Sequence, residues 1–363
     1  MYNVKIYGAG SIGNHLANAS RRLGWNVTLC DNDPAALRRT KEEIYPTRYG
    51  QWDDAIQLFT VADVPRSGFD LIFIGTPPDS HMDLAIQAIE ERPKAVLVEK
   101  PLCTPGLENA DILYQLAKET GVQVFVGYDH AVSKSAAKTV ELIPALGPVE
   151  TLDVEFREYW GGIFTAHPWL DGPQDSYLGF WQRGGGASAE HSHAINLWQH
   201  FARNLNAGRV TEVMATLEYV KTEELDYDKL CMLNLRTEKG LVGRVVQDVV
   251  TQPTRKWGRI QGKEGFIDIT IGSEDLVRWK YGSNSEESQL FKKTRPDDFI
   301  TELKHIEANI NDPQQNSMIS LECGLETMLV VSAAHISNRE GRCVYIDYSK
   351  GYSVDALSTE PIN

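Results

Sequence analysis

The stretch NVKIYGAGSIG, residues 3–13, decides the architecture of this chain. Val4-Lys5-Ile6-Tyr7 is a strand-like run, and Ile12, Leu16 and Ala19 recur at helical spacing over residues 12–23. Between them stand Gly8, Gly10 and Gly13. In a strand–turn–helix unit three such glycines have separate tasks: a tight turn, backbone approach to a pyrophosphate, and close helix–strand contact. The helix N-terminus beyond, at Ser11 and Ile12, then offers free N–H groups and a positive dipole end to phosphates. A strand before the glycines and a helix after them is the context that makes the motif specific. Asp31, 18 residues beyond Gly13, closes the next strand, where a carboxylate can receive ribose hydroxyls and repel a 2′-phosphate. NAD is therefore expected as cofactor rather than NADP. Arg38 and Arg39 follow inside the next helix and are expected on its solvent face.

Working outward, strands at residues 26–30, 71–75, 95–98 and 122–126 alternate with helical patterns at 34–44, 83–90 and 108–120. Such alternation implies right-handed crossovers and a parallel sheet covered by helices on both faces. After residue 130 the pattern changes. A helix over 136–146 ends at Gly147-Pro148, a strand alternates over 149–156, and a Gly- and aromatic-rich stretch runs from 159 to 186. A helical run follows at 194–201. Strand-like segments fill 212–220, 230–237, 242–251, 259–261, 266–269 and 276–281, before helices at 298–310 and 317–338 and a closing strand at 343–347. The expected fold is α/β, with an N-terminal Rossmann dinucleotide-binding domain over residues 1–129. An α+β domain over 130–363 would carry a large open, mainly antiparallel sheet, its C-terminal segment free to pack back on the first domain.

Composition narrows the function classes. At about 150 residues per domain, 363 residues accommodate two domains. Lys and Arg number 36 against 50 Asp and Glu, a net charge of −14 that repels phosphate backbones and anionic lipid. The short basic spots Arg21-Arg22, Arg38-Arg39 and Lys292-Lys293 lie far apart, so neither nucleic acid nor a membrane is expected as partner. Five scattered cysteines form neither a disulfide framework nor a zinc knuckle and fit a reducing compartment. The start of the chain lacks a charged-then-apolar leader pattern, and no apolar run approaches the ~18 residues that span a bilayer. A soluble, cytoplasmic protein is the expectation.

Chemistry concentrates at two places. Glu99-Lys100-Pro101 ends the strand at 95–98, and ligands of open α/β sheets bind outside the carboxyl ends of the strands. Lys100 is thus expected in the cleft beside the nicotinamide, its ammonium suited to hold a substrate hydroxyl and a developing alkoxide; the plain alternative is a surface lysine in a turn. The second place is Glu190-His191-Ser192-His193, just after Gly184-Gly185-Gly186.

These motifs, with Thr76-Pro77-Pro78 and His81, Gly127-Tyr128, and the helix from Ser320-Leu321-Glu322 to Ser337, resemble the glucose–fructose oxidoreductase, inositol dehydrogenase and MocA family (Gfo/Idh/MocA) over essentially the whole chain. The resemblance implies hydride transfer at a carbinol or carbonyl carbon, with sugars, sugar acids, cyclitols and nucleotide sugars as substrates. It implies cofactor contacts at Gly8, Gly10, Ser11, Ile12, Gly13, Asp31, Thr76, Pro77, His81, Glu99 and Lys100. It also makes His193 the proton-transfer group and Glu190 its preceding carboxylate, with Lys100 as the third catalytic residue. A histidine titrates in the range useful for removing a hydroxyl proton, and on one helical turn Glu190 could orient the imidazole. The sequence departs from the common pattern in reading Glu-x-x-His, and in Asn196, where one branch carries an Asp. His191 is the second candidate base.

Arg157, Tyr159, Trp160, His167, Trp169, Tyr177, Trp181 and Arg183 crowd one stretch. Substrate contacts are expected from Arg157, Trp160, Trp181 and Arg183, together with Tyr128, Lys100, His191 and His193. Aromatics pack on sugar C–H faces and guanidinium forks suit an anionic substrate, although any one aromatic could equally be core. Asp129 and His130 receive no role. His15 and His335 are read as helix-face residues, and His200 and His305 as structural. No metal is expected, because the histidine spacing differs from that of a zinc helix. A redox-neutral enzyme that recycles bound NAD, or a non-catalytic NAD-binding regulator, are the alternatives to a dehydrogenase. A wide sheet with few helices predicts a homodimer or homotetramer through its open face.

Overall fold

The computed structural model describes residues 1–166, 169–312 and 317–361. Its first sheet is six-stranded and parallel, in the order β3-β2-β1-β4-β5-β6, from β1 (Asn3–Tyr7), β2 (Asn26–Asp31), β3 (Ile56–Thr60), β4 (Leu71–Ile74), β5 (Ala95–Val98) and β6 (Gln123–Val126). The central strands β4 and β5 are buried along their whole length, as the unbroken apolar runs require. Helices α1 (Ser11–Arg22), α2 (Pro34–Arg39), α3 (Tyr45–Tyr49), α4 (His81–Glu90) and α5 (Ala110–Thr120) connect and cover them. The Rossmann expectation holds.

One departure lies beside the glycine loop. The helix expected over 34–44 is α2 followed by a widened π turn, Thr40–Ile44, that runs on into α3. The buried Thr40 hydroxyl there donates to the Ala9 carbonyl (2.5 Å), and Asn14 Nδ2 donates to Thr40 Oγ1 (3.1 Å) and the Gly10 carbonyl (2.8 Å). The turn thereby ties Thr40 to the glycine loop. Strand β3 is absent from the sequence-based expectation, its partly exposed edge position giving only a weak pattern.

The second sheet has ten strands in the order β14-β13-β12-β11-β7-β10-β9-β8-β15-β16. They are β7 (Val149–Arg157), β8 (Val210–Lys221), β9 (Asp226–Thr237), β10 (Val242–Asp248), β11 (Arg255–Gly262), β12 (Gly265–Ile271), β13 (Glu274–Tyr281), β14 (Glu287–Lys292), β15 (Val344–Ile346) and β16 (Leu357–Ser358). All named pairs are antiparallel except β7 with β10. Helices α6 (Lys134–Leu142), α9 (His193–Asn204) and α11 (Leu321–Glu340) cover one face; α7 (Gly161–Ala166) and α8 (Gly186–Glu190) precede α9, and α10 (Arg295–Asn311) precedes α11. Trp198 of α9 anchors the layer, its indole N–H donating to the Leu152 carbonyl at 2.8 Å. The opposite face carries Asp153, Met214, Met232 and Arg244 and, among the described residues, has no helix on it. Edge strand β14 is likewise beyond the sequence-based expectation, because its exposed residues show no alternation.

The C-terminal helices tie the two sheets together. Helix α10 packs on α1, and α11 reaches β6, where the Val126 N–H donates to the Ile319 carbonyl (2.8 Å) and a Cβ on Gly324 would meet Val126 at 2.5 Å. Tyr352, near the chain end, donates its N–H to Asp111 of α5 at 2.6 Å.

Candidate active site

The glycine loop is shaped for an approaching phosphate. Gly8 takes φ +99°, and a Cβ there would lie 2.7 Å from the Gly75 carbonyl. At Gly13 a Cβ would meet the Gly8 carbonyl at 1.8 Å, so α1 can approach the loop only with glycine. At Gly10 no described atom lies within 4 Å of that position: this side is open. No described side chain caps α1, which leaves its first N–H groups to a ligand. Asp31 accepts the Ala9 N–H (2.7 Å) and the Asp33 N–H (2.8 Å), pinning the loop to the end of β2 while retaining lone pairs. These residues fit a dinucleotide. Arg39 departs from the expected solvent face: its guanidinium lies 5.1 Å from the Trp169 ring, and its Nε is buried without a hydrogen-bond partner among the described residues.

At the carboxyl end of β5, Lys100 Nζ donates to Glu190 Oε1 (2.8 Å) and to the Glu190 carbonyl (3.1 Å). Burial pushes the Glu190 carboxyl up, but Lys100 and His191 outweigh it and hold the group below its ordinary value. Glu190 also accepts the Tyr177 hydroxyl at 3.4 Å. The carboxylate expected to orient His193 therefore orients Lys100 instead. The reason is local: α8 ends at Glu190 and α9 begins at His193, so the two residues do not share one helical turn.

His193 faces Asp129 and His130, the pair that sequence reasoning leaves without a role. Its Nδ1 lies 3.8 Å from Asp129 Oδ1, and its ring centroid 4.5 Å from that of His130. Burial, and then the neighbouring His130, depress the His193 pKa well below its ordinary value, so the ring is a neutral proton acceptor. Asp129 is buried, which raises its pKa, yet His130, Arg295 and His193 together hold the carboxyl low; Arg295 Nη1 stands 3.3 Å from Oδ2. A signal existed for this pair: Asp129-His130 follows β6, just as Lys100 follows β5. Asp129, His130 and His193 offer ligand atoms within 4.8 Å of one another, a grouping that could receive a cation. The guanidinium of Arg295 already balances its single carboxylate.

His191 occupies a second niche. It is buried, with Nε2 unpartnered among the described residues, and burial followed by Lys256 pulls its pKa down to about 4. Lys256 is itself bonded to Glu158 at 2.8 Å.

Other expected residues are committed elsewhere. Tyr128 is fully buried, donates to Ser192 Oγ (3.3 Å) and braces the His193 ring edge-on. Trp160 packs in a satellite cluster with Leu178, Ala187 and Val249, and Trp181 stacks on His335 at 4.4 Å. Arg157 is bonded through Nε to Asp248 (2.6 Å) and Arg183 through Nε to Asp79 (2.7 Å), so each charge already has a carboxylate partner. His81 is buried between the Thr76 and Pro101 carbonyls (2.7 and 3.0 Å), where it braces the turn. His167 lies outside the described residues. The glycine triplet is explained by closeness. A Cβ on Gly184 would press on Pro78 (2.7 Å), one on Gly185 on the Tyr177 carbonyl (2.2 Å), and one on Gly186 on Asp228 Oδ1 (2.0 Å).

Residues 2–128 match the model of the Gfo/Idh/MocA oxidoreductase family, described as an NAD-binding Rossmann fold. No curated protein matches the chain in sequence. Among solved structures, levoglucosan dehydrogenase in complex with NADH superposes with a TM-score of 0.76 at 19% identity, covering 95% of this chain and 98% of that one. An oxidoreductase from Agrobacterium radiobacter, in complex with NAD+, L-tartaric acid and magnesium, gives 0.73 at 19% over the same shares. The WlbA dehydrogenase from Bordetella pertussis, with NADH and UDP-GlcNAcA, gives 0.71 at 19%, again over 95% and 98%. At these identities the likeness is one of fold, and it extends through both sheets.

Proposed function

We propose that this chain, whose residues 2–128 carry the NAD-binding Rossmann fold of the Gfo/Idh/MocA oxidoreductase family, is an NAD-dependent dehydrogenase acting on a CH–OH carbon of a sugar, sugar acid, cyclitol or nucleotide sugar. One observation carries it: Lys100, at the end of β5, is bonded to Glu190, three residues before His193, and His193 stands beside the buried Asp129 beyond β6. Bound NAD would supply the hydride acceptor, held by Gly8, Gly10, Gly13, the start of α1 and Asp31. Lys100, held by Glu190, which also accepts the Tyr177 hydroxyl, would donate to the substrate oxygen and stabilise negative charge there. His193, held neutral by burial, is placed to take the hydroxyl proton, with Asp129 stabilising the imidazolium that results. Because Arg157 and Arg183 are already paired, they give no support to a negatively charged substrate in particular.

Incubation with NAD and a panel of sugars, sugar acids, cyclitols and nucleotide sugars tests this, with reduced-nicotinamide absorbance and product masses followed together. Product with stoichiometric NADH is expected. Product without NADH would move the assignment to redox-neutral chemistry, and no product from any class would overturn the reading. Lys100→Ala is expected to bind NAD normally yet turn over on the order of a hundredfold more slowly; full activity would remove Lys100 from the chemistry. The uncovered face of the ten-stranded sheet is proposed as the contact of a homodimer or of the dimers within a tetramer. Among the described residues no helix is long and apolar enough to cross a membrane.

A further inference from the structure

Three donors from two distant parts of the chain meet beside the cleft. Asp129 and His130 follow β6, and His193 opens α9. Asp129 Oδ1 lies 3.4 Å from His130 Nδ1 and 3.8 Å from His193 Nδ1, and one ligand atom from each residue falls within 4.8 Å of the others. Neither contact is a hydrogen bond. Asp129 Oδ1 and His193 Nδ1 are both buried without a partner among the described residues, and Asp129 is only 6% exposed. Two buried polar atoms that face each other unbonded are costly to leave so, and an ion between them satisfies both. Among the described residues this is the one place where three histidine, cysteine or carboxylate groups gather in this way.

Packing holds the donors in position. Phe156 of β7 stands 5.4 Å from the His130 ring and 6.3 Å from the His193 ring, while Tyr128 meets His193 edge-on at 5.6 Å. Ser133 Oγ donates to the His130 carbonyl (2.8 Å) and so fixes the turn that carries Asp129 and His130. Arg295 donates to Asp129 Oδ2 at 3.3 Å, which orients the carboxylate and leaves Oδ1 turned to the imidazoles. Lys256, beside the Phe156 ring, is already bonded to Glu158.

The donor set selects the ion. Magnesium and calcium prefer shells of oxygen, whereas two imidazoles with one carboxylate suit a borderline transition ion. Around tetrahedral zinc, with bonds of about 2.0–2.2 Å, ligand atoms stand about 3.4 Å apart. The two separations from Asp129 Oδ1 are already close to this. The sequence hides such a set, because its members come from a strand end and a helix start rather than from one helix.

We propose that Asp129 Oδ1, His130 and His193 form a binding site for one zinc-type divalent cation, with a fourth position left for water. The consequence for activity rests on the dehydrogenase reading. An imidazole whose Nδ1 ligates an ion keeps its single ring proton on Nε2, so neither nitrogen can accept a hydroxyl proton. Zinc therefore silences the enzyme by occupying its base, and a chelator restores it.

The full chain, stripped with EDTA and desalted, is titrated with zinc against a chromophoric chelator, and with magnesium as control. One zinc per chain is expected, with magnesium unable to displace it. In His130→Gln the zinc affinity should fall by more than about tenfold at an unchanged melting temperature. X-ray absorption at the zinc edge needs no variant and should show two imidazoles in the first shell. No stoichiometric zinc, a first shell without imidazole, or undiminished affinity in the folded variant overturns the site. In the dehydrogenase assay zinc should abolish turnover reversibly, and the half-inhibiting concentration should rise in His130→Gln by the factor lost in affinity. Stoichiometric zinc with unchanged or raised turnover overturns the silencing. A chain that binds zinc at these imidazoles yet oxidises no sugar upholds the site and overturns the dehydrogenase reading instead.

Discussion

Asp31 illustrates how much a single position can disclose through its spacing alone. Its distance from the glycines and its place at the end of a strand are what propose it as the ribose ligand. The fold adds a second duty, since the same carboxylate accepts the Ala9 N–H and so holds the phosphate loop in place. Asp31→Ala should therefore weaken NAD binding by roughly tenfold or more and narrow the preference over NADP, both read by fluorescence titration. If the preference stayed the same while affinity fell, the loop would be the whole of its role. Lys100 is legible for a similar reason, being attached to a strand end. The partner of Glu190 is not. Spacing of three residues makes neighbours only within one continuous helix, and here the chain turns between Glu190 and His193. Glu302 of α10, buried with neither carboxyl oxygen partnered among the described residues, gives no signal at all, because nothing local distinguishes a buried glutamate from the solvated ones common on helices.

At the scale of elements, legibility follows periodicity. Buried β4 and β5 are plain, whereas β3 and β14 lie at sheet edges and carry mixed or exposed residues. The turn formed by Gly184-Gly185-Gly186 is visible as a motif, but its causes are not, since one glycine meets Pro78, the next the Tyr177 carbonyl, and the third Asp228 of β9, some forty residues on. Gly186, at φ +81°, lies against the Asp228 carboxyl, whose Oδ2 accepts the Ser188 N–H (2.7 Å) while Oδ1 has no partner among the described residues. Burial pushes this acid up to about 7. A carboxyl raised on folding adds no penalty below its unfolded pKa of about 4, and it costs stability progressively as pH rises to its folded pKa. Asp228→Asn keeps the acceptor for Ser188 and removes the titration. Its stability relative to the parent should thus improve between pH 4 and 7 by up to about 1.4 kcal/mol per pH unit, then level off. Urea unfolding at several pH values checks this, and a difference independent of pH would show that Asp228 does not carry a raised pKa.

At the scale of the molecule, the strand–helix alternation discloses one sheet, and the run of strands after it discloses the other. What the sequence does not disclose is how α10 and α11 bring both halves to one site, because such contacts join residues far apart in the chain. The uncovered face of the second sheet is where this scale makes its own prediction. Met214 and Met232 are each 42% exposed there and Val242 is 39% exposed. Around them the charges are mutually cancelled, Arg244 with Asp153 (2.7 Å) and Arg236 with Glu212 (3.3 Å). A chain of net charge −14 repels its own copies, so association is best tolerated where a patch is locally neutral and partly apolar. This sheet face is such a patch. Sedimentation at micromolar concentration should find a dimer or tetramer, strengthened by moderate salt as the residual repulsion is screened. Met232→Glu places a charge at the centre of that face without touching the core or the cleft. It should lower the association state while leaving the melting profile of the isolated chain and NAD binding in place. A parent protein that sediments as a monomer, or a variant that assembles as before, would assign this face to solvent.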